Sequence, residues 1–164
     1  MSGDARVLLI GYGNVLRGDD ALGPMAVERL RSVLTGGATD VEVLSCHQLA
    51  PELAEQLAHC KLALFVDATD CGEPGTVRVQ QLSPEAGDAN SFTHHVQPAS
   101  LLALARELYG RAPEALLVTG SGATFDGRES LSEPGREALH EICRLVPQLI
   151  VDFRAHGDAM AMKE

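Results

Sequence analysis

Hydrophobic residues along the chain form short continuous runs, separated by longer stretches in which apolar positions recur every three or four residues. Continuous runs are typical of strands that are buried on both faces of a parallel sheet. They predict buried strands at 7–10, 62–66 and 115–119, whereas alternation of apolar and polar residues predicts more exposed strands at 41–44 and 76–80. The pattern therefore predicts a sheet of five strands.

The apolar positions between these strands follow helical spacing. They predict helices over 22–34, 51–58 and 98–108, and a last helix from Ser132 onward. Proline has no backbone N–H to donate, so Pro147 is expected to kink or break this last helix.

Strands that alternate with helices are typical of a three-layer α/β/α fold with a mostly parallel, twisted sheet. The strand at 76–80 follows its predecessor through a short turn-rich loop, which predicts an antiparallel orientation and an edge position. Residues 1–155 are expected to form a single α/β domain, because 164 residues suffice for one full core and not for two. Residues 156–164 are expected to be a frayed C-terminal tail.

Charge and cysteine usage limit the possible partners. The net charge is −10 with no block of Lys or Arg, which argues against nucleic acid and anionic membranes and favours a basic protein or a metal cation. The four cysteines are far apart, the first six residues contain no apolar signal segment, and no apolar run approaches the roughly 20 residues of a membrane span. The expected location is the cytoplasm, with reduced thiols.

The segment 9–23 places a strand end, a glycine-rich turn, an acidic pair and a helix start in one short stretch. A dinucleotide fingerprint would need a third glycine where Leu16 stands, and two carboxylates would repel a pyrophosphate at the helix start. One carboxylate, Asp19 or Asp20, suffices to cap the helix. The second acid is then either a spare surface residue or part of a site for a cation.

Three further acidic or basic residues also stand next to the end of a predicted strand or the start of a predicted helix. Asp67 directly follows the buried run 62–66, and the pair His94 and His95 precedes the helix at 98–108. Sites in such sheets gather beyond the carboxyl ends of the strands, where Asp20, Asp67 and one histidine could meet. Two carboxylates and an imidazole suit a borderline divalent ion such as nickel or zinc. Taken separately, the same residues are explained as a helix cap, a turn former and a polar loop residue.

Three motifs along the chain are specific in combination. They are Gly11-x-Gly13-Asn14-x-Leu16-x-x-Asp19-Asp20-x-x-Gly23, Val66-Asp67-Ala68 with Gly72-x-Pro74-Gly75, and Thr93-His94 ahead of Leu101-Leu102. Through them almost the whole chain resembles the maturation endopeptidases of nickel-iron hydrogenases. Members of that family trim the C-terminal extension from the precursor of the hydrogenase large subunit.

The resemblance implies which residues carry the chemistry. Asp20, Asp67 and His94 correspond to the family's nickel-contacting residues, and they are expected to act both as metal ligands and in catalysis. His94 is preferred to His95 because its distance from Leu101-Leu102 matches the family pattern. The resemblance further implies that nickel is supplied by the substrate precursor and that the protein works as a monomer.

The chain also departs from the family pattern. Ala21 stands where a glycine usually follows the acidic pair, and 47–53 and 122–126 differ from the segments of many relatives. Two other functions stay open at the level of sequence. One is a nickel-binding chaperone that uses the same three residues without hydrolysis, and the other is a small-molecule or nucleotide-binding α/β module.

Overall fold

A computed structural model describes residues 7–35, 40–86, 95–127 and 130–161, with side chains through residue 157. Its elements in chain order are β1 (Val7–Tyr12), a 3-10 turn (Gly18–Ala21), α1 (Leu22–Thr35), β2 (Val41–Cys46), α2 (Leu53–Ala58), β3 (Leu62–Thr69), β4 (Val77–Leu82), α3 (Pro98–Tyr109), β5 (Glu114–Ser121) and α4 (Glu133–Ala161). No helix in the described ranges is long and apolar enough to cross a membrane.

The five strands form one sheet in the order β2-β1-β3-β5-β4. All neighbouring strands are parallel except β4, which runs antiparallel to β5 at the edge. The predicted three-layer α/β fold, with its mostly parallel five-stranded sheet and antiparallel edge strand, is therefore confirmed.

The structure also shows which strand β4 pairs with. The strand runs antiparallel to its predecessor β3, as expected, but it pairs with β5, which lies between the two. The physical reason is burial. The interior position goes to β5, which has the apolar run 115–118, whereas the residues of β4 are exposed or half-buried.

Each face of the sheet carries its own hydrophobic core, because successive side chains of a strand point to opposite faces. On one face, Leu9 packs with α1 and with Ile142 of α4. On the other face, Leu8 packs with α2 and with Leu101 of α3. Both cores lie below the carboxyl ends of the strands, which leaves that edge of the sheet to loops.

Pro147 was expected to kink or break the last helix; it does not end the helix, so the break is wrong and the kink stays a prediction. The helix α4 runs from Glu133 to Ala161 with Pro147 inside it. Val146 and Ile150, on either side of the proline, are almost completely buried in the core. Their burial offsets the loss of one backbone hydrogen bond, which costs about 3 kcal/mol in an isolated helix. The frayed tail at 156–164 stays a prediction.

Candidate active site

A cavity of about 300 Å³ opens where β1 and β3 end. Asp20 reaches it from the 3-10 turn after β1, and Asp67 reaches it from the last part of β3. The two strands are parallel neighbours, so their carboxyl ends meet at the same edge of the sheet. The lining residues are Tyr12, Gly13, Asn14, Arg17, Asp20, His47, Gln48, Leu49, Asp67, His95, Val96 and Gln97.

The turn after β1 holds Asp20 in place. Gly13 has a φ of +149°, and a Cβ at this position would collide with the backbone carbonyl oxygen of Asp20, so the close approach requires glycine. The Asn14 N–H then donates to Asp20 Oδ2 over 2.8 Å. The Asn14 side chain accepts a hydrogen bond from the Leu16 N–H at 2.9 Å and closes the turn.

Asp67 is the most perturbed acid of the cavity. Burial raises the pKa of its carboxyl from an ordinary 3.8 to about 6, and the negative charge of Asp20 acts in the same direction. The Ala68 N–H, which donates to Asp67 Oδ1 at 2.8 Å, and the phenol of Tyr12 lower this pKa. Two carboxylates that repel each other in a partly buried cavity favour the binding of a cation.

The predicted site also includes a histidine. His94 belongs to 87–94, which lies outside the described residues. Its neighbour His95 is exposed and lines the cavity. Within the described part of the chain, no group of three His, Cys, Asp or Glu side chains is arranged to hold a metal ion. The structure thus brings Asp20 and Asp67 together, and the contribution of His94 stays a prediction.

Asp19 has a different role from its neighbour. Its side chain is completely buried, and it accepts hydrogen bonds from the N–H groups of Ala123, Thr124 and Ser132 and from the Ser132 hydroxyl. Ser132 Oγ in turn accepts from the Gly135 N–H and caps α4. The hydrogen bonds that the structure describes for these two acids therefore differ from the helix cap on α1 that the sequence predicted. Asp19 joins the 3-10 turn to the start of α4, and Asp20 bonds to Asn14.

Sequence reasoning missed two residues of the cavity, Tyr12 and His47. Tyr12 ends β1 on the same face as Leu8, so the two-residue period of the strand was a signal for its direction. Burial and the charge of Asp67 raise its pKa, so the phenol stays protonated beside that carboxyl. His47 follows β2, and the rule that loops at the carboxyl ends of parallel strands line sites applies to it as well.

Comparison with known proteins relies on structure. Neither a protein-family model nor a curated protein matches the sequence. A crystal structure of the hydrogenase 2 maturation peptidase of a Thaumarchaeota archaeon is 25% identical, covers 88% of this chain and 97% of its own, and superposes with a TM-score of 0.66. The NiFe hydrogenase maturation protease HycI of Thermococcus kodakarensis is 26% identical, with coverage of 90% and 93% and a TM-score of 0.70.

A third structure supports the fold alone. The hydrogenase maturating endopeptidase HybD of E. coli is 22% identical, covers 93% of this chain and 94% of its own, and has a TM-score of 0.70. Together the fold and the cavity define a three-layer α/β protein with two carboxylates at the carboxyl edge of its parallel strands. The structures at 25% and 26% identity are both hydrogenase maturation peptidases, so the resemblance to that family is confirmed, and the enzyme class is that of a peptide hydrolase.

Proposed function

We propose that this protein is an endopeptidase of the cytoplasm that removes the C-terminal extension from a nickel-loaded precursor of a NiFe hydrogenase large subunit. Asp20, Asp67 and His94 are the proposed ligands of the substrate's nickel. The observation that carries the proposal is the meeting of Asp20 and Asp67, which lie 47 positions apart in the chain, in one cavity beyond the sheet.

The donor chemistry of the two acids fits this substrate. Each carboxylate is fixed by a backbone N–H, Asp20 through Oδ2 by Asn14 and Asp67 through Oδ1 by Ala68. Fixed oxygens lose little freedom when they bind an ion. Two oxygens and one imidazole leave coordination positions unfilled on a divalent ion, so cysteine thiolates of the precursor complete its shell.

These ligands also position the peptide bond. The precursor's nickel lies beside the bond to be cleaved, so binding of this ion at Asp20 and Asp67 holds that bond at the cavity. Nickel supplies a positive charge that polarises the carbonyl or an attacking water. The carboxylates anchor the substrate, and recognition of a loaded precursor is thereby coupled to its cleavage.

Thiol chemistry is a poorer match at the partly or fully buried cysteines, Cys46, Cys60 and Cys143. Burial raises the pKa of the Cys60 thiol to about 12 and that of Cys46 above its ordinary range. A thiol with a raised pKa is protonated near pH 7 and is a weak nucleophile. We therefore assign the peptidase activity to the carboxylates, as an aspartyl-type site that depends on the substrate's metal.

A test with three forms of the precursor separates this function from its alternatives. Nickel-loaded precursor should lose its C-terminal extension, whereas metal-free precursor and precursor that is already trimmed should remain unchanged in mass. Mass spectrometry of the three reactions gives the result. Equal cleavage of the metal-free and nickel-loaded forms contradicts the shared-metal mechanism, and nickel transfer with no cleavage identifies a chaperone.

The two neighbouring histidines provide a matched pair of variants. We expect His94→Ala to lower the rate of processing by more than about 100-fold, because loss of a metal ligand costs at least as much as loss of a residue that supports one. His95→Ala should retain most of the activity, although His95 lines the cavity. Initial rates on nickel-loaded precursor measure both. Equal losses in the two variants would show that the choice of His94 is wrong.

A further inference from the structure

A second concave region lies beside Asp67, on the side away from Asp20. This groove has a volume of about 420 Å³ and is formed by the ends of β3, β5 and β4. The cavity with Asp20 lies toward β1, so Asp67 is the residue that both regions share. A peptide bound across Asp67 can therefore extend into the cavity on one side of this residue and into the groove on the other.

The groove is built on a row of three side chains from adjacent strands. Asp67 of β3 is the register partner of Thr119 in β5, and Thr119 is the partner of Arg78 in β4. Register partners point to the same face of a sheet. Neighbouring strands are about 4.8 Å apart, so roughly 10 Å separate the backbone positions of Asp67 and Arg78. A ligand group fits between them.

The chemistry of the row indicates which group that is. Among the residues lining the groove, Arg78 carries a positive charge, and Thr119, its register partner, has a hydroxyl group. The hydroxyls of Thr76 and Ser121 donate to backbone carbonyl oxygens of the protein. The whole chain has a net charge of −10, so the positive charge of Arg78 in an open groove contrasts with the overall negative charge of the protein. A guanidinium beside a hydroxyl suits a carboxylate, which it binds with two parallel hydrogen bonds.

We infer that this groove binds the part of the substrate that follows the cleaved bond and that Arg78 takes a carboxylate of this segment. The inference rests on the proposed function, which places the nickel side of the substrate in the cavity with Asp20 and the cleaved bond near Asp67. An extended chain advances about 3.3 Å per residue, so 10 Å corresponds to about three residues. Arg78 is thus a specificity-determining residue for an acidic side chain, or a chain end, about three positions beyond the cleaved bond.

Binding is tested without cleavage by NMR titration of the protein with three short peptides. The first is alanine-aspartate-alanine blocked at both ends, the second is the same peptide with asparagine in the middle, and the third is the asparagine peptide with a free C-terminal carboxylate. We expect amide shifts at Thr119 and Arg78 with the first or the third peptide, and none with the second. The peptide that binds identifies the carboxylate as that of a side chain or of a chain end.

Three arginine variants make the test specific. Arg78→Gln should weaken peptide binding about tenfold or more, as expected for the loss of hydrogen bonds between charged groups. Arg78→Lys should retain part of the affinity. Arg29→Gln, which removes the same charge from an exposed position of α1, should bind like the unchanged protein. Equal binding of all three peptides, absence of binding, or an Arg78→Gln variant with full affinity overturns the inference.

Kinetics on nickel-loaded precursor distinguish this inference from the proposed function. Arg78→Gln should raise KM about tenfold and leave kcat nearly unchanged, because Arg78 holds a remote part of the substrate. A precursor that stays intact with the unchanged protein, while the peptides still bind at Arg78, contradicts the peptidase function and not the carboxylate site. An unchanged KM for Arg78→Gln contradicts the groove and leaves the peptidase function standing.

Discussion

Replacement of Asp67 by asparagine is expected to abolish processing and, at the same time, to stabilise the protein at pH 7. Asparagine keeps the shape of the side chain and the oxygen that accepts from the Ala68 N–H. It lacks the negative charge that, in the proposed function, holds the substrate's nickel, so we expect a loss of activity of more than about 100-fold.

The gain in stability follows from the raised pKa of Asp67. The pKa is about 6 in the folded protein and near 3.8 when the group is unperturbed, so the folded state favours the protonated form. The stability that this group contributes is therefore fully present below pH 3.8 and is lost as the pH rises through 6. At pH 7 the ionised carboxylate destabilises the fold by about 3 kcal/mol, which the neutral asparagine removes.

Urea unfolding of the metal-free protein at pH 4 and pH 7 measures this effect. Asp67→Asn should unfold at a higher urea concentration than the unchanged protein at pH 7, and the difference should nearly vanish at pH 4. Asp70→Asn, at an exposed position three residues away, is the control and should change neither stability nor processing. A variant that is less stable at pH 7, or that still processes the precursor, contradicts the assignment of Asp67 to the site.

The neighbouring acid should behave in the opposite way. Asp19→Asn is expected to destabilise the protein by about 3–5 kcal/mol, the cost of disrupting a buried charged network. Both oxygens of Asp19 accept from backbone N–H groups, Oδ2 from Ala123 and Thr124 and Oδ1 from Ser132. Whichever way the asparagine amide turns, its NH2 group faces a donor, and at least one buried N–H loses its partner.

The pH dependence of this effect has the reverse sign. Burial raises the pKa of Asp19, but the hydrogen bonds from Ser132, Ala123 and Thr124 outweigh it, so the pKa lies below its ordinary value of 3.8. The stability from this carboxylate is present above pH 3.8 and is lost as the pH falls through the lower, folded-state pKa. The gap between the protein and Asp19→Asn should therefore narrow in acid.

Urea unfolding at pH 7 and at about pH 3 measures both parts of this expectation. Asp126→Asn is a suitable control, because Asp126 lies in the same loop region as Thr124 and is exposed. A surface change of this kind shifts stability by no more than about 0.5 kcal/mol. If Asp19→Asn is as stable as Asp126→Asn, Asp19 does not join the turn to α4 in the way described.

The sequence alone determined the elements and their arrangement in layers. A continuous apolar run such as 62–66 indicates a strand buried on both faces, and apolar residues at helical spacing, as in 98–108, indicate a helix buried on one face. Both patterns are local properties of the chain. Position 67 at the end of an apolar run was enough to place Asp67 at the carboxyl edge, because parallel strands share that edge. The family resemblance depended on the same local motifs.

Only the tertiary structure decided how neighbours of equal chemistry divide their roles. Asp19 and Asp20 are adjacent and identical in type. Asp19 is nevertheless buried and hydrogen-bonded to residues between 123 and 132, whereas Asp20 lines a cavity together with Asp67. The partners of Asp19 lie more than 100 positions away in the chain, and no local pattern encodes such a distance.

The tertiary structure also decided the course of the helix at Pro147, which persists because packing of α4 on the sheet outweighs a local propensity. It likewise decided the position of Arg78, which meets Asp67 in one groove only because β5 inserts between β3 and β4.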